Sequence, residues 1–150
     1  MAETLTGLSE PLFTALQNEI IALLSTIDAE TGAPSTSAVS WLYATEPNTL
    51  RFAIDQRSRL VTNIRNNELV NVTVFADGSV YAIYGSARII VDALEAVPFK
   101  LACVDITISA VRDAMFYGSR ISVTPEYEKT YDKRAAEKLD GQVFDAMKKA

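Results

Sequence analysis

Val70, Val72 and Val74 alternate with Asn71 and Thr73, and the dipeptide Asp77-Gly78 separates this run from a long β-prone stretch over Ser79 to Val91. Strict alternation sends successive side chains to opposite faces of a strand, so the valines face a core and their neighbours face away from it. Asp-Gly supplies the positive φ values of a two-residue hairpin turn, and a hairpin makes its two strands antiparallel. The centre of the chain is therefore committed to an antiparallel sheet. Gly85, inside the return strand, marks a bulge or a barrel corner.

The flanking segments extend this pattern. Met1 to Thr6 reads as loose chain, and Ser9-Glu10-Pro11 opens a helix over roughly Pro11 to Asn18, with Leu12, Phe13, Leu16 and Ile20 at helical spacing. Ile21 to Ile27 reads as a buried strand, Asp28-Ala29-Glu30-Thr31-Gly32 as a turn, and Pro34 to Tyr43 as a second strand. Ala44 to Asn48, which contains Pro47, turns the chain into the alternating strand Leu50-Arg51-Phe52-Ala53-Ile54. Asp55-Gln56-Arg57 then leads to Ser58, the N-cap of a short helix ending near Asn66. Leu101 to Val111 and the shorter Ile121 to Thr124 are further strands. From about Asp132 an amphipathic helix places Ala135, Leu139, Val143 and Met147 on one face. About six strands joined mostly by hairpins predict a mainly β fold, a small antiparallel barrel with helical additions. One domain is expected over residues 1–150, with its core at about 19–124 and the C-terminal helix at about 132–149.

The composition excludes several functions. A net charge of −5 opposes long-range attraction to nucleic acid or to an anionic membrane surface. The longest strictly apolar run, Ile20 to Leu24, is far too short to span a bilayer, and no basic segment precedes an apolar one as a leader requires. The chain has no histidine, which removes Ser-His and Cys-His nucleophile pairs and the histidine-ligated zinc, iron and haem sites. No metal is expected. Cys103 is the single cysteine and lies among apolar neighbours, so it reads as a buried structural thiol in a cytoplasmic protein.

Charge placement supplies the one chemical clue. The first fifty residues contain no lysine or arginine, and then Arg51, Arg57, Arg59 and Arg65 arrive around one strand-to-helix turn. The first turn of a helix carries free backbone N–H groups and the positive end of the helix dipole, so arginines beside Ser58 make a site suited to a phosphate. The plainer reading is that Ser58 caps a helix and the arginines are a solvated surface.

The order of these elements, the strand ending in Ser40-Trp41-Leu42-Tyr43, the run FAIDQRSRL, the helix ending Arg65-Asn66-Asn67 and the segment Tyr84-Gly85-Ser86-Ala87-Arg88 resemble the pyridoxamine 5′-phosphate oxidase-like family, the FMN-binding split barrels. The resemblance spans roughly Glu19 to Val91 and implies a split β-barrel. It further implies that Ser58 and Arg59, with Arg57 beside them, bind the phosphate of FMN. The backbone of Val39, Ser40 and Trp41 would lie along the isoalloxazine ring, Ala53 and Ile54 would flank the ribityl chain, and Ser79 would reach the flavin from the hairpin. A homodimer completing the flavin pocket is implied as well, with a small molecule as substrate.

Two departures bear on activity. Leu60 stands where the family usually has a phosphate-binding lysine, so it reads either as a lost contact that Leu60→Lys would restore or as a side chain packed with Ile64 on the barrel. The strand from Ser37 to Leu42 lacks the cationic side chains that hold pyridoxamine phosphate in the oxidases proper, so that reaction is not expected. Trp41, Tyr43, Tyr81 and Tyr84 are either walls of an aromatic pocket or cross-strand packing. Arg112 to Gly118 is either a dimer contact or pocket rim, or a turn with an ion pair, and Asp105 and Asp113 are too far apart in sequence to read as a carboxylate pair. An FMN-dependent oxidoreductase is the leading expectation. The alternatives are a non-catalytic flavin carrier or sensor, a barrel that has lost its cofactor, and a barrel holding a deazaflavin or pyridoxal phosphate instead.

Overall fold

The computed structural model describes residues 4–150. The elements are β1 (Thr4–Leu5), α1 (Glu10–Ala15), β2 (Ala22–Ile27), β3 (Pro34–Val39), β4 (Leu42–Glu46), β5 (Thr49–Asp55), α2 (Arg59–Asn66), β6 (Leu69–Ala76), β7 (Ser79–Val91), β8 (Leu101–Asp113) and α3 (Lys133–Lys149). The strands form one sheet in the order β3-β2-β6-β7-β8-β5-β4, with β1 on β8, and every pairing is antiparallel. Of the expected loose segment, Thr4–Leu5 pairs with Val111 and Arg112, and the part before it lies outside the described residues.

The central hairpin forms as its pattern requires. Asp77 and Gly78 have φ values of 51° and 73°, and Ala76 pairs with Ser79 across the turn. At Gly85 the β7–β8 register shifts, and a Cβ placed there would lie 2.3 Å from the carbonyl oxygen of Thr107. Only glycine lets the two backbones approach so closely where the sheet bends.

The strand expected over Pro34 to Tyr43 is two strands. β3 pairs with β2 at one end of the sheet, and β4 pairs with β5 at the other. The bend at Ser40–Trp41 carries the chain between those two ends and closes the barrel. The stretch expected to turn, Ala44 to Asn48, begins in strand: Leu42, Tyr43 and Ala44 are consecutive buried residues, and the turn itself is confined to Pro47 and Asn48. Leu42 and Ala44 face the barrel interior while Tyr43 faces α3, so burial on both faces removed the alternation that marks a strand. No strand forms over Ile121 to Thr124; residues 114–132 run irregularly, tied to the β6–β7 hairpin by the Ala114 N–H to the Val80 carbonyl and the Ile121 N–H to the Gly78 carbonyl, each at 2.7 Å.

Two apolar clusters result. The barrel interior holds Leu24, Leu42, Leu50, Phe52, Val72, Val74, Ile83, Val104 and Ile106, with α1 closing one side through Leu12 and Leu16 and α2 another through Leu60 and Ile64. The second lies outside the barrel, where Val143, Ala146 and Met147 of α3 cover Tyr43, Ala53, Leu101 and Cys103. α1 stops at Ala15 rather than near Asn18. On α3 Ala136 is buried and Ala135 is exposed, because the face that packs is set by the sheet beneath it.

Candidate functional site

The turn from β5 into α2 forms as expected, with Ser58 as N-cap. Its Oγ accepts from the Leu60 N–H at 3.2 Å, and the Ser58 N–H donates to the Asp55 carbonyl at 2.8 Å. Arg57 and Arg59 project from this turn with side chains 89% and 62% exposed, so both guanidinium groups are open to a ligand.

Neither arginine stands alone. Arg57 pairs with Asp55 at 3.1 Å, while Arg59 donates to Asp28 at 2.9 Å and lies 3.5 Å from Glu30. Asp28 is locked into the β2–β3 turn by the N–H groups of Glu30 and Thr31 and the Thr31 hydroxyl. Those bonds, that of the Thr31 N–H first, hold its carboxyl below the usual range. The Arg57 guanidinium and N–H do the same for Asp55.

The other two arginines leave the cluster. Arg51 points to the α3 side of β5, gripping Asp105 at 2.6 and 3.0 Å and donating to the Met147 carbonyl at 2.9 Å. Strand alternation explains this, since Leu50 and Phe52 take the barrel side. Arg65 pairs with Asp92 at 3.0 Å. Leu60 is 3% exposed and belongs to the barrel core, so position 60 faces away from the phosphate-like turn. The reading of Leu60 as a lost phosphate contact is thereby corrected in favour of packing.

Upstream residues named from the sequence converge on the same strand end. The Ala53 N–H donates to the Trp41 carbonyl at 3.0 Å, which sets the Ser40–Trp41 bend beside Ala53 and Ile54, just before the Arg57–Arg59 turn. Val39 is buried in the barrel, Ile54 packs against that core, and Ala53 is buried beneath α3, so what this stretch offers a ligand is backbone.

The bend is covered by a polar network that the sequence did not signal. The Trp41 indole N–H donates to Asp140 at 2.9 Å, and Lys129 donates to Asp140 and to Glu19 at 3.2 Å each. The Tyr127 hydroxyl donates to Glu19 at 2.8 Å, and burial first, then the neighbouring Glu19 carboxylate, pushes that phenol well above its usual range. Beside the network lies a cavity of about 310 Å³ lined by Ile20, Ile21, Phe75, Pro125 and Tyr127 with Glu19.

Ser79 stands apart. It is buried next to the hairpin turn with its hydroxyl on Asp113 at 2.6 Å. The Asp28 end of β2 neighbours Asn71, and Ser79 pairs with Ala76, five residues further along β6 or roughly 17 Å at 3.4 Å per residue. The structure therefore does not bring Ser79 and Ser58 together within one chain. The four aromatic residues do not form one wall either: Trp41 and Tyr43 lie beneath α3, Tyr81 packs on the barrel core, and Tyr84 faces outward under the Arg112 guanidinium at 5.3 Å. At the end of β8, Asp113 bonds to Ser79 and to the Met115 N–H rather than forming an ion pair with Arg112. Cys103 is fully buried, and burial raises its thiol to about 11. Among the described residues no group of acidic or sulfur side chains is placed to hold a metal, and no helix is long and apolar enough to cross a membrane.

An antiparallel sheet whose two end strands, β3 and β4, are joined through the Ser40–Trp41 bend, flanked by helices, defines the split-barrel class of β protein. The chain belongs to the pyridoxamine 5′-phosphate oxidase family, whose sequence model matches residues 8–129. Solved structures agree on the fold. A candidate pyridoxamine 5′-phosphate oxidase from Lactobacillus delbrueckii superposes with a TM-score of 0.61 at 18% identity, covering 73% of this chain and 97% of its own. General Stress Protein 26 from Bacillus anthracis gives 0.56 at 18% identity, covering 71% and 94%. An F420 reductase gives 0.58 at 17% identity, covering 69% and 98%. No curated protein matches the chain.

Proposed function

We propose that this protein binds FMN and uses it as an oxidoreductase acting on a small organic molecule. The observation that carries this reading is the junction at the end of β5, where the Ser40–Trp41 backbone, Ala53 and Ile54 meet the Ser58-capped turn with its two open guanidinium groups. The residues present fit the tail of such a cofactor: Arg57 and Arg59 are charged donors at a helix start, a combination suited to phosphate. Bound there, FMN would supply the transfer of electrons, and the chain would supply orientation and field. Arg57 and Arg59 hold the anionic end. Val39 to Trp41 present backbone to the ring, and the Glu19–Lys129–Asp140 network fixes Trp41. The cavity beside Tyr127 gives a small substrate an apolar wall near the bend. No side chain of this region is assigned as a proton donor, and pyridoxamine phosphate oxidation is not proposed: residues 37–42 carry no cationic side chain, and Lys129 beside the bend is held by two carboxylates.

A homodimer fits the outer face of the sheet. Two rows of paired residues, Ala38-Leu23-Thr73-Ala82-Arg112 and Thr36-Ser25-Asn71-Tyr84-Ala110, cross five strands with Arg112 as their single charge. The Asn71 Oδ1 in the second row is buried without a hydrogen-bond partner. A partner subunit could also bring its Ser79 end towards the flavin, which the same chain cannot. The buried, unpaired thiol of Cys103 suits the cytoplasm.

Titration of FMN followed by flavin fluorescence tests the proposal. Arg59→Ala should weaken binding by about 1.5 kcal/mol, the low end for a hydrogen bond to a charged group because Arg59 is largely exposed. A colourless protein that takes up no flavin would instead support the second reading, a barrel that has lost its cofactor. The carboxylates paired with both arginines favour that reading.

A further inference from the structure

We propose that Glu30, on the β2–β3 turn, is a specificity-determining residue of the β5–α2 site, discriminating against a flavin tail that carries a doubly charged phosphate. The inference rests on the flavin reading above and adds a preference among ligands to it. Its basis is the charge actually assembled at the turn. Arg57 and Arg59 face Asp55, Asp28 and Glu30, two positive groups against three negative, so the cluster has no surplus positive charge to offer.

The three carboxylates differ in kind. Asp28 is fixed by three hydrogen bonds from its own turn, and Asp55 accepts the Arg57 N–H at 2.8 Å, so both are parts of the local fold. Glu30 makes no such bond with its side chain. It is 80% exposed, touches Arg59 at 3.5 Å, and reaches the site from a strand connection distant in sequence. It is therefore a free rival for the guanidinium group that the phosphate needs. Leu60, the next residue along the helix, adds no charge of its own, since its side chain is in the barrel core.

The effect is measurable because riboflavin and FMN differ only in the phosphate. A phosphate dianion held by Arg59 would lie on the order of 6 Å from the Glu30 carboxylate, where Coulomb's law in water gives about a tenfold penalty, equal to about 1.4 kcal/mol. Salt screening should cut this to roughly threefold at 0.15 M ionic strength.

The experiment is titration of riboflavin and of FMN into the wild-type chain, Glu30→Gln and, as a charge control away from the site, Glu95→Gln. Glu30→Gln should raise FMN affinity about sevenfold at 10 mM salt and about threefold at 0.15 M, leaving riboflavin unchanged. Glu95→Gln should alter neither. FMN binding that is equal in wild type and Glu30→Gln at low salt refutes the role of Glu30 while leaving the flavin reading intact. Equal gains for both flavins would also refute it, since the phosphate would not be what Glu30 senses. If neither flavin binds any of the three, the flavin reading fails and this inference falls with it.

Discussion

Replacing Leu60 by lysine separates the two roles that position 60 could have. The side chain is 3% exposed, lies one helical turn before Ile64, and belongs to the cluster that fills the barrel. Removing it forfeits about 1.5–3 kcal/mol of burial, and truncating a buried leucine commonly costs about 2–5 kcal/mol once the cavity is included. A lysine adds an ammonium group that must either be buried or bend outward past the first turn of α2. We expect a net loss of about 3–5 kcal/mol. For a domain of this size, about 2–4 °C of melting temperature goes with each kcal/mol, so the midpoint should fall by roughly 6–20 °C. Thermal unfolding by circular dichroism reads this, with Thr62→Lys on the exposed face of the same helix as control, expected within about 0.5 kcal/mol of wild type. FMN affinity, measured on the folded fraction, should not improve. A Leu60→Lys variant as stable as the control, or one that binds FMN tenfold tighter, would show that position 60 faces the ligand and that its packing has been misread.

Gly85→Ala should cost about 2–4 kcal/mol because its Cβ would meet the Thr107 carbonyl oxygen at 2.3 Å, whereas Gly141→Ala in the open middle of α3 should stabilise by up to about 1 kcal/mol; urea denaturation compares them. Asp105→Ala strands the partly buried Arg51, whose guanidinium also holds the end of α3, and should cost about 2–4 kcal/mol by the same measurement. The Cys103 thiol lies near 11 when folded against 9.0 for a free thiol, so its contribution is complete below pH 9 and is lost as pH rises through 11. Cys103→Ala should therefore flatten the alkaline fall in stability over that window, and an unchanged pH profile would contradict the burial. Sedimentation equilibrium should show a dimeric mass for the wild type and a monomeric one for Ala82→Arg, which places a charge in the outer-face row; a monomeric wild type would refute that assignment.

The sequence by itself determined the elements whose causes are local. The β6–β7 hairpin followed from alternating valines and Asp77-Gly78, and the Ser58 cap followed from a side chain that reaches only the N–H of Leu60, two residues on. Gly85 announced its bulge because close backbone approach tolerates little else. The motifs around these positions were also enough to point to the family. What tertiary structure decided were matters of direction and distance. Four arginines that share a short stretch of chain separate because Arg51 is turned to α3 by strand alternation and Arg65 to Asp92, leaving two at the turn. The bend at Ser40–Trp41 was hidden because the strand beyond it is buried on both faces, and its role of linking opposite ends of the sheet exists only once the barrel has closed. Glu19, Tyr127, Lys129 and Asp140 meet at Trp41, and Asp28 and Glu30 meet Arg59, across separations that no local pattern encodes. Side chains remote in sequence are brought together by packing of the whole chain, and the charge of the candidate site is set there.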